Sequence, residues 1–252
     1  MTEALTVVVT GAAGGIGRAV CNEFSGAGAT VYGLDIDAAG LASLGDGVQG
    51  LLLDITDATS TEQVVGSLGP IDVLIHCAGI TSLGPFVETP MPAFDRVLDV
   101  NVRAAVIVTR AALPGLIATR GRIGVLSSVA GFSPLLYRTA YSASKHALHG
   151  FFESLRAELI DDGVSVTMVC PSFVDTGIED RAAHRTQGEA GTWTTTGRVM
   201  TPDRLAPLIR SGLMRRRRLV LPSLTSRVAY LLSRVSPALL DRTMQRRIRR
   251  NA

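Results

Sequence analysis

A tyrosine and a lysine stand four residues apart, as Tyr141 and Lys145, in a segment whose pattern predicts a helix over 139–160. Residues four positions apart share one face of a helix, so the hydroxyl and the ammonium could point into one cleft. A free tyrosine has a pKa of about 10, too high for a base at neutral pH, but a neighbouring cation stabilises the phenolate. The pair could therefore exchange a proton with an alcohol or a carbonyl group.

The composition supports a specific role for the lysine. The chain has 25 basic residues, and Lys145 is its only lysine. A compact ammonium can sit beside a phenolate and reach hydroxyl groups in a way that a guanidinium cannot. The alternative interpretation, an ordinary surface pair at i and i+4, does not explain why an arginine-rich chain keeps a lysine here.

Two further polar residues could belong to the same cleft. Ser128 follows a predicted strand over 122–127, and its hydroxyl could hold a substrate oxygen, with Ser127 as the competing candidate. Asn101 lies inside a predicted helix over 93–117, where asparagine is not a favoured residue.

A glycine-rich turn, Thr10–Gly17, lies between a predicted strand over 5–10 and a predicted amphipathic helix over 16–24. Such a turn lets a pyrophosphate approach backbone N–H groups at a helix N-terminus, although a bare tight turn would also need glycine. Asp35, at the end of a second predicted strand, could accept hydrogen bonds from ribose hydroxyls and repel a 2′-phosphate. The pattern favours NAD over NADP.

The strands and helices alternate along the chain. Further strands are predicted over 49–53, 73–76, 164–169 and 219–221, and a further helix over 59–68. The order predicts an α/β fold: a single-domain Rossmann-type doubly wound parallel sheet of about seven strands, with helices on both faces, over residues 1–252. The polar segment 172–200 is interpreted as a substrate lid, and 213–252 as a basic C-terminal extension.

The spacing Thr-Gly-x-x-x-Gly-x-Gly, followed by a strand-end serine and Tyr-x-x-x-Lys, resembles the short-chain dehydrogenase/reductase family over about residues 5–177. The resemblance implies an oxidoreductase with a nicotinamide dinucleotide as cofactor, which Asp35 favours as NAD, and no metal is expected. It implies four catalytic residues: Asn101, Ser128, Tyr141 and Lys145. It implies these cofactor-binding residues: Gly11, Gly15, Ile16, Gly17, Asp35, Asp54, Ile55, Ala78, Gly79, Tyr141, Lys145, Pro171, Val174 and Thr176.

The chain departs from the family pattern at His76, Cys77 and Ser172, where two asparagines and a glycine are usual. We interpret His76 as a hydrogen-bonded histidine at a strand end rather than a catalytic group. In the family, the asparagine at position 101 perturbs its helix and binds a water that connects the lysine to solvent.

The expected reaction is the interconversion of a secondary alcohol and a ketone, with Tyr141 as general acid/base. A hydrophobic substrate such as a steroid, a terpenoid or an acyl-chain carbonyl is expected, because the residues after Ser128 are apolar, although several of them could instead pack against a partner subunit. Those residues are Val129, Phe132, Leu135, Leu136 and Tyr137. Trp193, in the lid, could cover a ligand or anchor the lid.

Two other functions are open alternatives. The first is a catalytically silent dinucleotide-binding sensor or scaffold, which retention of all four catalytic positions disfavours. The second is a sugar-nucleotide epimerase or dehydratase, which carries a differently spaced glycine turn and a larger C-terminal substrate domain.

The composition indicates where in the cell the protein is expected. Cys21, Cys77 and Cys170 show neither a disulfide framework nor metal-ligand spacing, and no secretory signal or apolar membrane span is apparent, so a cytoplasmic protein is expected. The family implies a homodimer or a homotetramer.

The charge is concentrated at one end of the sequence. Residues 201–252 hold thirteen arginines against two aspartates, a net charge of +11, whereas the chain as a whole is +3 and residues 1–200 therefore carry −8. This basic extension could bind an anionic membrane surface, or it could be a solvated helix packed on the body or on a neighbouring subunit. Nucleic-acid binding is not expected, because no recognised motif or interleaved aromatic residues accompany the charge.

Overall fold

The computed structural model describes residues 4–180, 182–184 and 199–240. It contains a seven-stranded sheet in the order β3-β2-β1-β4-β5-β6-β7, with every neighbouring pair parallel. The strands are β1 Thr6–Thr10, β2 Thr30–Asp35, β3 Val48–Leu52, β4 Val73–His76, β5 Arg122–Leu126, β6 Ser165–Val169 and β7 Leu219–Val220. The predicted doubly wound parallel sheet is confirmed.

Eight α-helices connect or follow these strands in the described part of the chain. They are α1 Gly15–Ser25, α2 Ala38–Ala42, α3 Ala58–Gly66, α4 Met91–Leu98, α5 Ala104–Thr119, α6 Thr139–Glu158, α7 Pro202–Met214 and α8 Leu224–Val235. Helices α2 and α7 were not predicted from the sequence. Helix α8 lies in the basic extension, for which a helix packed on the body was one of the two interpretations.

Both faces of the sheet are buried, which explains the unbroken apolar runs of the central strands. In β1, Val7 and Val9 face one core with α1 and α7, while Val8 faces the other core with α3, α5 and α6. Phe24 of α1 and Phe152 of α6 are among the largest fully buried side chains of the two cores. The sheet is therefore held rigidly from both sides, and its carboxyl edge stays open for a site.

The long helix predicted over 93–117 contains an interruption. Between α4 and α5 the chain forms one π-helical turn over Asp99–Arg103, with Asn101 at its centre. A further difference concerns Asp54, which was expected to close β3: the strand ends at Leu52, and Asp54 lies in the turn that follows.

Met91–Thr119 is the one helical stretch among the described residues that is long and apolar enough, by length and composition, to cross a membrane. Its residues Ala104, Val108, Ala112 and Leu116 are buried in the core beneath the sheet. A helix that covers a sheet meets the same criterion of length and composition.

The predicted lid is only partly described. Residue 181 and residues 185–198, which include Trp193, lie outside the described residues, as does 241–252 of the basic extension. At the two ends of the lid, Val174 pairs with Met200 in a parallel bridge. The amide of Ala183 donates to the carbonyl of Thr81 (2.7 Å), so the segment crosses the loop after β4.

Two helical glycines allow a test of the packing. A Cβ added at Gly115 in α5 would lie 2.4 Å from the backbone oxygen of Gly69, whereas one added at Gly150 in α6 meets nothing within 4 Å. We expect Gly115→Ala to destabilise the protein by about 1–3 kcal/mol, because backbone must move. Gly150→Ala should stabilise it by about 0.5–1 kcal/mol, because alanine restricts the unfolded chain. Urea unfolding measures both; equal effects would contradict this packing.

Candidate active site

The predicted site residues gather at the carboxyl edge of the sheet, where β1 and β4 lie side by side and the strand order reverses direction. This reversal opens the crevice in which doubly wound sheets bind ligands. The residues that end or follow the strands along this edge are Gly11, Asp35, Ala78, Gly79, Ser128 and Pro171.

The glycine turn leaves no room for side chains. Gly11 has φ +68°, and a Cβ on it would lie 2.7 Å from the Cα of Ala78, in the loop after β4. A Cβ on Gly17 would lie 2.0 Å from the carbonyl oxygen of Gly11. The turn therefore packs on the β4 loop backbone to backbone, and only glycine fits at these two positions.

The N-terminus of α1 is open to an anion. Gly14 occupies the N-cap with no side-chain hydrogen bond to the helix, and the first turn contains no acidic residue. The first N–H groups of a helix have no partner within it, and the helix dipole is positive there. With the tight glycine turn, this forms the cradle that a pyrophosphate needs.

The loop after β6 lies against the same turn. A Cβ on Gly15 would lie 3.2 Å from the Cα of Thr176, which brings that residue beside the cradle. The carbonyl of Pro171 accepts a hydrogen bond from the amide of Val129 (3.0 Å), so this loop is also tied to the segment after Ser128. Val174 is held by its bridge to Met200.

The carboxylate of Asp35 lies at the turn. Its Oδ2 accepts from the amide of Ala13 (2.9 Å), and its Oδ1 accepts from the amide of Asp37 (3.1 Å). Each carboxylate oxygen has two lone pairs, so both oxygens can accept another donor.

Arg18, a cation that the sequence analysis did not consider, also lies here, and its guanidinium donates to the carbonyls of Ser43 (2.9 Å) and Ala13 (3.4 Å).

Asp54 and Ile55, predicted to contact the cofactor, have different environments. Asp54 is exposed, and its Oδ1 accepts from the hydroxyl (2.7 Å) and the amide (2.9 Å) of Thr56. The hydrogen bond from that hydroxyl is the main reason that the pKa of Asp54 is lowered. The side chain of Ile55 is buried in the core.

Lys145 is a buried cation at the centre of the site. Its side chain is only 4% exposed, and its Nζ donates to the carbonyl of Leu126 (2.7 Å), at the end of β5. The same nitrogen lies 5.4 Å from the centroid of the Tyr141 ring. Burial lowers the pKa of Lys145 to about 8. The pair on one face of α6 is thus brought to the end of a strand, as its spacing suggested.

Tyr141 is half-buried, and burial is the main reason that the pKa of its phenol is raised. Hydrogen bonding with the Ser128 side chain and the positive charge of Arg138 act in the opposite direction and lower this pKa. The Oγ of Ser128 also accepts from the amide of Ala130 (3.1 Å), which fixes the side chain. The competing Ser127 instead lies beside Gly131 and His149, since a Cβ on that glycine would meet both side chains.

Asn101 uses both ends of its carboxamide. Its Oδ1 accepts from the amide of Ile80 (2.8 Å), and its Nδ2 donates to the carbonyl of Ile80 (3.0 Å) and to the hydroxyl of Ser144 (2.9 Å). A Cβ on Gly79 would lie 3.4 Å from this Oδ1 and 3.6 Å from Nζ of Lys145. The π-turn therefore clamps the β4 loop to α6 beside the lysine.

Arg138 is a site residue that the sequence analysis missed. It is only 7% exposed, immediately precedes α6, and forms an ion pair with Glu179 in the segment after β6. Its position three residues before Tyr141 was the available signal, because residues at i and i+3 are neighbours on a helix. A buried cation beside the phenol affects the acidity of the phenol.

The apolar segment after Ser128 has mixed surroundings. Phe132 packs edge-to-face on Tyr230 of α8, with ring centroids 5.2 Å apart. Leu136 is exposed, and Tyr137 has φ +59°, with its carbonyl accepting from the amide of Gly84 (3.0 Å). The segment is thus partly packed into the fold and partly open at the edge of the site.

His76 and two of the cysteines are buried away from any proton-transfer role. The Nε2 of His76 hydrogen-bonds with the hydroxyl of Thr109 (2.8 Å), and burial lowers the pKa of this histidine to about 3. The thiols of Cys21 and Cys170 are buried, which raises the pKa of each to about 12. No group of three or more potential metal ligands occurs among the described residues.

Comparison with known proteins agrees with this geometry. A family model described as short chain dehydrogenase matches residues 5–187, and the chain belongs to this family. Its members are oxidoreductases that bind a nicotinamide dinucleotide, act on small molecules and are typically oligomeric.

Individual relatives cover different shares of the chain. Dehydrogenase/reductase SDR family member 7B of Bos taurus is 32% identical over 264 aligned positions, which cover 97% of this chain and 81% of that protein. A short chain dehydrogenase of Pseudocercospora fijiensis is 38% identical over 184 residues, covering 68% of this chain and 60% of the relative. A solved short-chain dehydrogenase from Sphingobium yanoikuyae, in complex with NADPH, is 27% identical with a TM-score of 0.79, covering 90% of this chain and 92% of its own.

The buried lysine gives a prediction about pH and stability. Because the pKa of Lys145 falls from 10.5 to about 8 on folding, the folded state binds fewer protons than the unfolded chain between these values, so this group makes stability rise with pH there. At pH 7 Lys145 is charged, and the burial of this charge lowers the free energy of unfolding. Lys145→Met should therefore stabilise the protein at that pH by about 1–3 kcal/mol.

The measurement is urea unfolding of both proteins from pH 7 to pH 10. The stability difference should shrink as the pH rises past 8, because the wild-type lysine loses its charge. A variant that is less stable at pH 7, or a difference that does not change with pH, would contradict the burial of a charged Lys145.

Proposed function

We propose that the protein is an NAD(H)-dependent oxidoreductase that interconverts a secondary alcohol and a ketone, with Tyr141 as the general acid/base. The observation that carries this proposal is the arrangement of three groups at one strand edge. The Ser128 side chain lies close enough to the Tyr141 phenol to lower the pKa of that phenol, and the buried ammonium of Lys145 lies beside its ring. This arrangement adjoins a turn built for a pyrophosphate.

The residues present fit a nicotinamide dinucleotide. The cradle has no space for a side chain at Gly11 or Gly17 and little at Gly15, and the α1 N-terminus lacks a side-chain cap. The Asp35 carboxylate can accept hydrogen bonds from the hydroxyls of one ribose of the cofactor. The Lys145 ammonium can donate hydrogen bonds to ribose hydroxyls beside Tyr141. When bound, the cofactor supplies a nicotinamide ring that accepts or donates hydride.

The side chains provide the proton chemistry. In ketone reduction, the Tyr141 hydroxyl donates its proton to the carbonyl oxygen, and the Ser128 hydroxyl donates a hydrogen bond to the same oxygen. In alcohol oxidation, the phenolate of Tyr141 accepts the proton. The raised pKa in the protein alone suits the donor role, and the acceptor role needs positive charge near the ring to lower this pKa. Lys145 and Arg138 are the cations in position to supply it.

The preference for NAD rests on Asp35. A carboxylate at the end of β2 would face a 2′-phosphate with like charge, and the nearby Arg18 is engaged by backbone carbonyls. The Sphingobium relative binds NADPH, so membership of the family does not by itself decide between the two cofactors. The preference is therefore proposed from the residues of this chain.

The substrate is proposed to be hydrophobic, since the segment from Val129 to Tyr137 at the edge of the site is largely apolar. We also propose a cytoplasmic homodimer or homotetramer. Its support is the family and an apolar surface near the start of α4, where Phe86, Val87 and Met91 are exposed.

Removal of the Tyr141 hydroxyl tests the mechanism. Tyr141→Phe should lower kcat by about 10²–10⁴-fold, because the proton donor is lost, while the Kd for NADH changes little. A screen of NAD⁺ reduction over hydrophobic secondary alcohols identifies the substrate to be used. Tyr32→Phe, in β2, is the matched control and should keep full activity. Unchanged turnover by Tyr141→Phe would refute the mechanism and would suit a silent dinucleotide-binding sensor or scaffold.

The cofactor preference has its own test. Wild-type protein should bind NADH more tightly than NADPH, and Asp35→Ala should narrow this gap by about tenfold, because a like-charge repulsion of about 1.4 kcal/mol is removed. Fluorescence titration measures both constants. Asp37→Ala is the control: it removes the neighbouring carboxylate that caps α2 and should leave the gap unchanged. Tighter NADPH binding by the wild type would show that the role of Asp35 is wrong.

A further inference from the structure

The outer face of α8 carries an exposed apolar stripe. Four of its members are spaced by three or four residues within α8, which places them along one side of the helix, and a fifth lies in the segment that follows. They are Leu224, Val228, Leu231, Val235 and Leu239, with exposed fractions of 77%, 48%, 62%, 74% and 47%. A surface helix normally turns its polar side outward, so this stripe needs an explanation.

The inner face of α8 is already occupied by the rest of the protein. Ser226 and Ala229 are buried, and the Tyr230 ring packs on Phe132. The helix begins with a capping box formed by Ser223 and Ser226. The helix is therefore fixed in place, with its apolar stripe facing away from the body.

The charge along this segment has one sign. Residues 224–240 contain Arg227 and Arg234 and no acidic residue. The following sequence, 241–250, contains Asp241 and five arginines. The Nε of Arg227 donates to the carbonyl of Leu221 (3.2 Å), and the Arg234 guanidinium lies 5.3 Å from the Tyr230 ring centroid. Both cations thus sit on the helix that carries the stripe.

The apolar stripe and the positive charge of α8 together distinguish between two possible partners, a second copy of the chain and a lipid surface. If two copies of the chain met through the stripe, a symmetric contact would bring their arginines together with no acidic residue in 224–240 to pair with them. An anionic phospholipid surface offers an apolar layer for the stripe and negative headgroups for the arginines. The charge of α8 is complementary to the lipid and not to the α8 helix of a second copy.

We propose that the outer face of α8 docks on an anionic phospholipid bilayer. Through Phe132 the helix packs on the segment that follows Ser128, so a docked α8 holds the edge of the active site near the lipid. Given the oxidoreductase function proposed above, the substrate class is then an alcohol or ketone that partitions into the bilayer. Docking itself does not depend on that function.

Vesicle sedimentation tests the docking without any substrate. The protein should sediment with vesicles of phosphatidylcholine and phosphatidylserine at moderate salt and should bind pure phosphatidylcholine vesicles much less. Leu231→Glu should weaken vesicle binding by about tenfold or more, because the variant lacks the leucine side chain that inserts into the bilayer and adds a negative charge that the anionic headgroups repel. Ile160→Glu makes the same change at a 69% exposed position after α6 and should bind like the wild type.

Three results would overturn the proposal: negligible binding to both kinds of vesicle, undiminished binding by Leu231→Glu, or equal losses in both variants. A wild-type dimer that Leu231→Glu dissociates, without vesicle binding, would instead identify the stripe as a subunit interface. Circular dichroism checks folding, and Leu231→Ser replaces Leu231→Glu if the latter unfolds. Absence of turnover with every alcohol tested would refute the oxidoreductase proposal alone, because sedimentation does not measure turnover.

Discussion

A single buried ammonium sets the requirements for the rest of the site. Lys145 is almost fully enclosed, and its Nζ donates a hydrogen bond to the neutral carbonyl of Leu126. Burying a charge beside a neutral group is costly, so the surrounding structure has to hold the lysine rigidly. This rigidity has two sources. Two hydrophobic cores pack on the two faces of the sheet, and Asn101 binds both the β4 loop and α6. The buried charge of Lys145 lowers the stability of the protein, and in return the site has a fixed cation beside Tyr141.

The fold and most of the site could be predicted from sequence because both depend on local patterns. Unbroken apolar runs and the glycine turn identify strands and their ends, and residues at strand ends meet along one edge of a parallel sheet. Tyr141 and Lys145 are linked by helix geometry alone. The short helix α2 was missed because five residues are too few for a periodic signal, whereas a helix in the segment of α8 was one of two open interpretations.

Other features depend on contacts between distant segments and leave no local pattern. The ion pair of Arg138 with Glu179 joins residues 41 positions apart. The two ends of the Asn101 carboxamide bind Ile80 and Ser144, so the π-turn could be expected only from the family resemblance. Asp54 was placed at a strand end because the apolar run continues to Leu53, although the sheet pairing stops one residue earlier.

The ion pair between Arg138 and Glu179 has a thermodynamic consequence. It connects the residue that precedes the catalytic helix to the segment that crosses the mouth of the site. If that segment moved away, the buried guanidinium would lose this counter-charge, and its field at the Tyr141 phenol would grow stronger. The position of the segment and the acidity of the tyrosine are therefore linked: the change in free energy of ionisation when the segment moves equals the change in free energy of that movement when the tyrosine ionises.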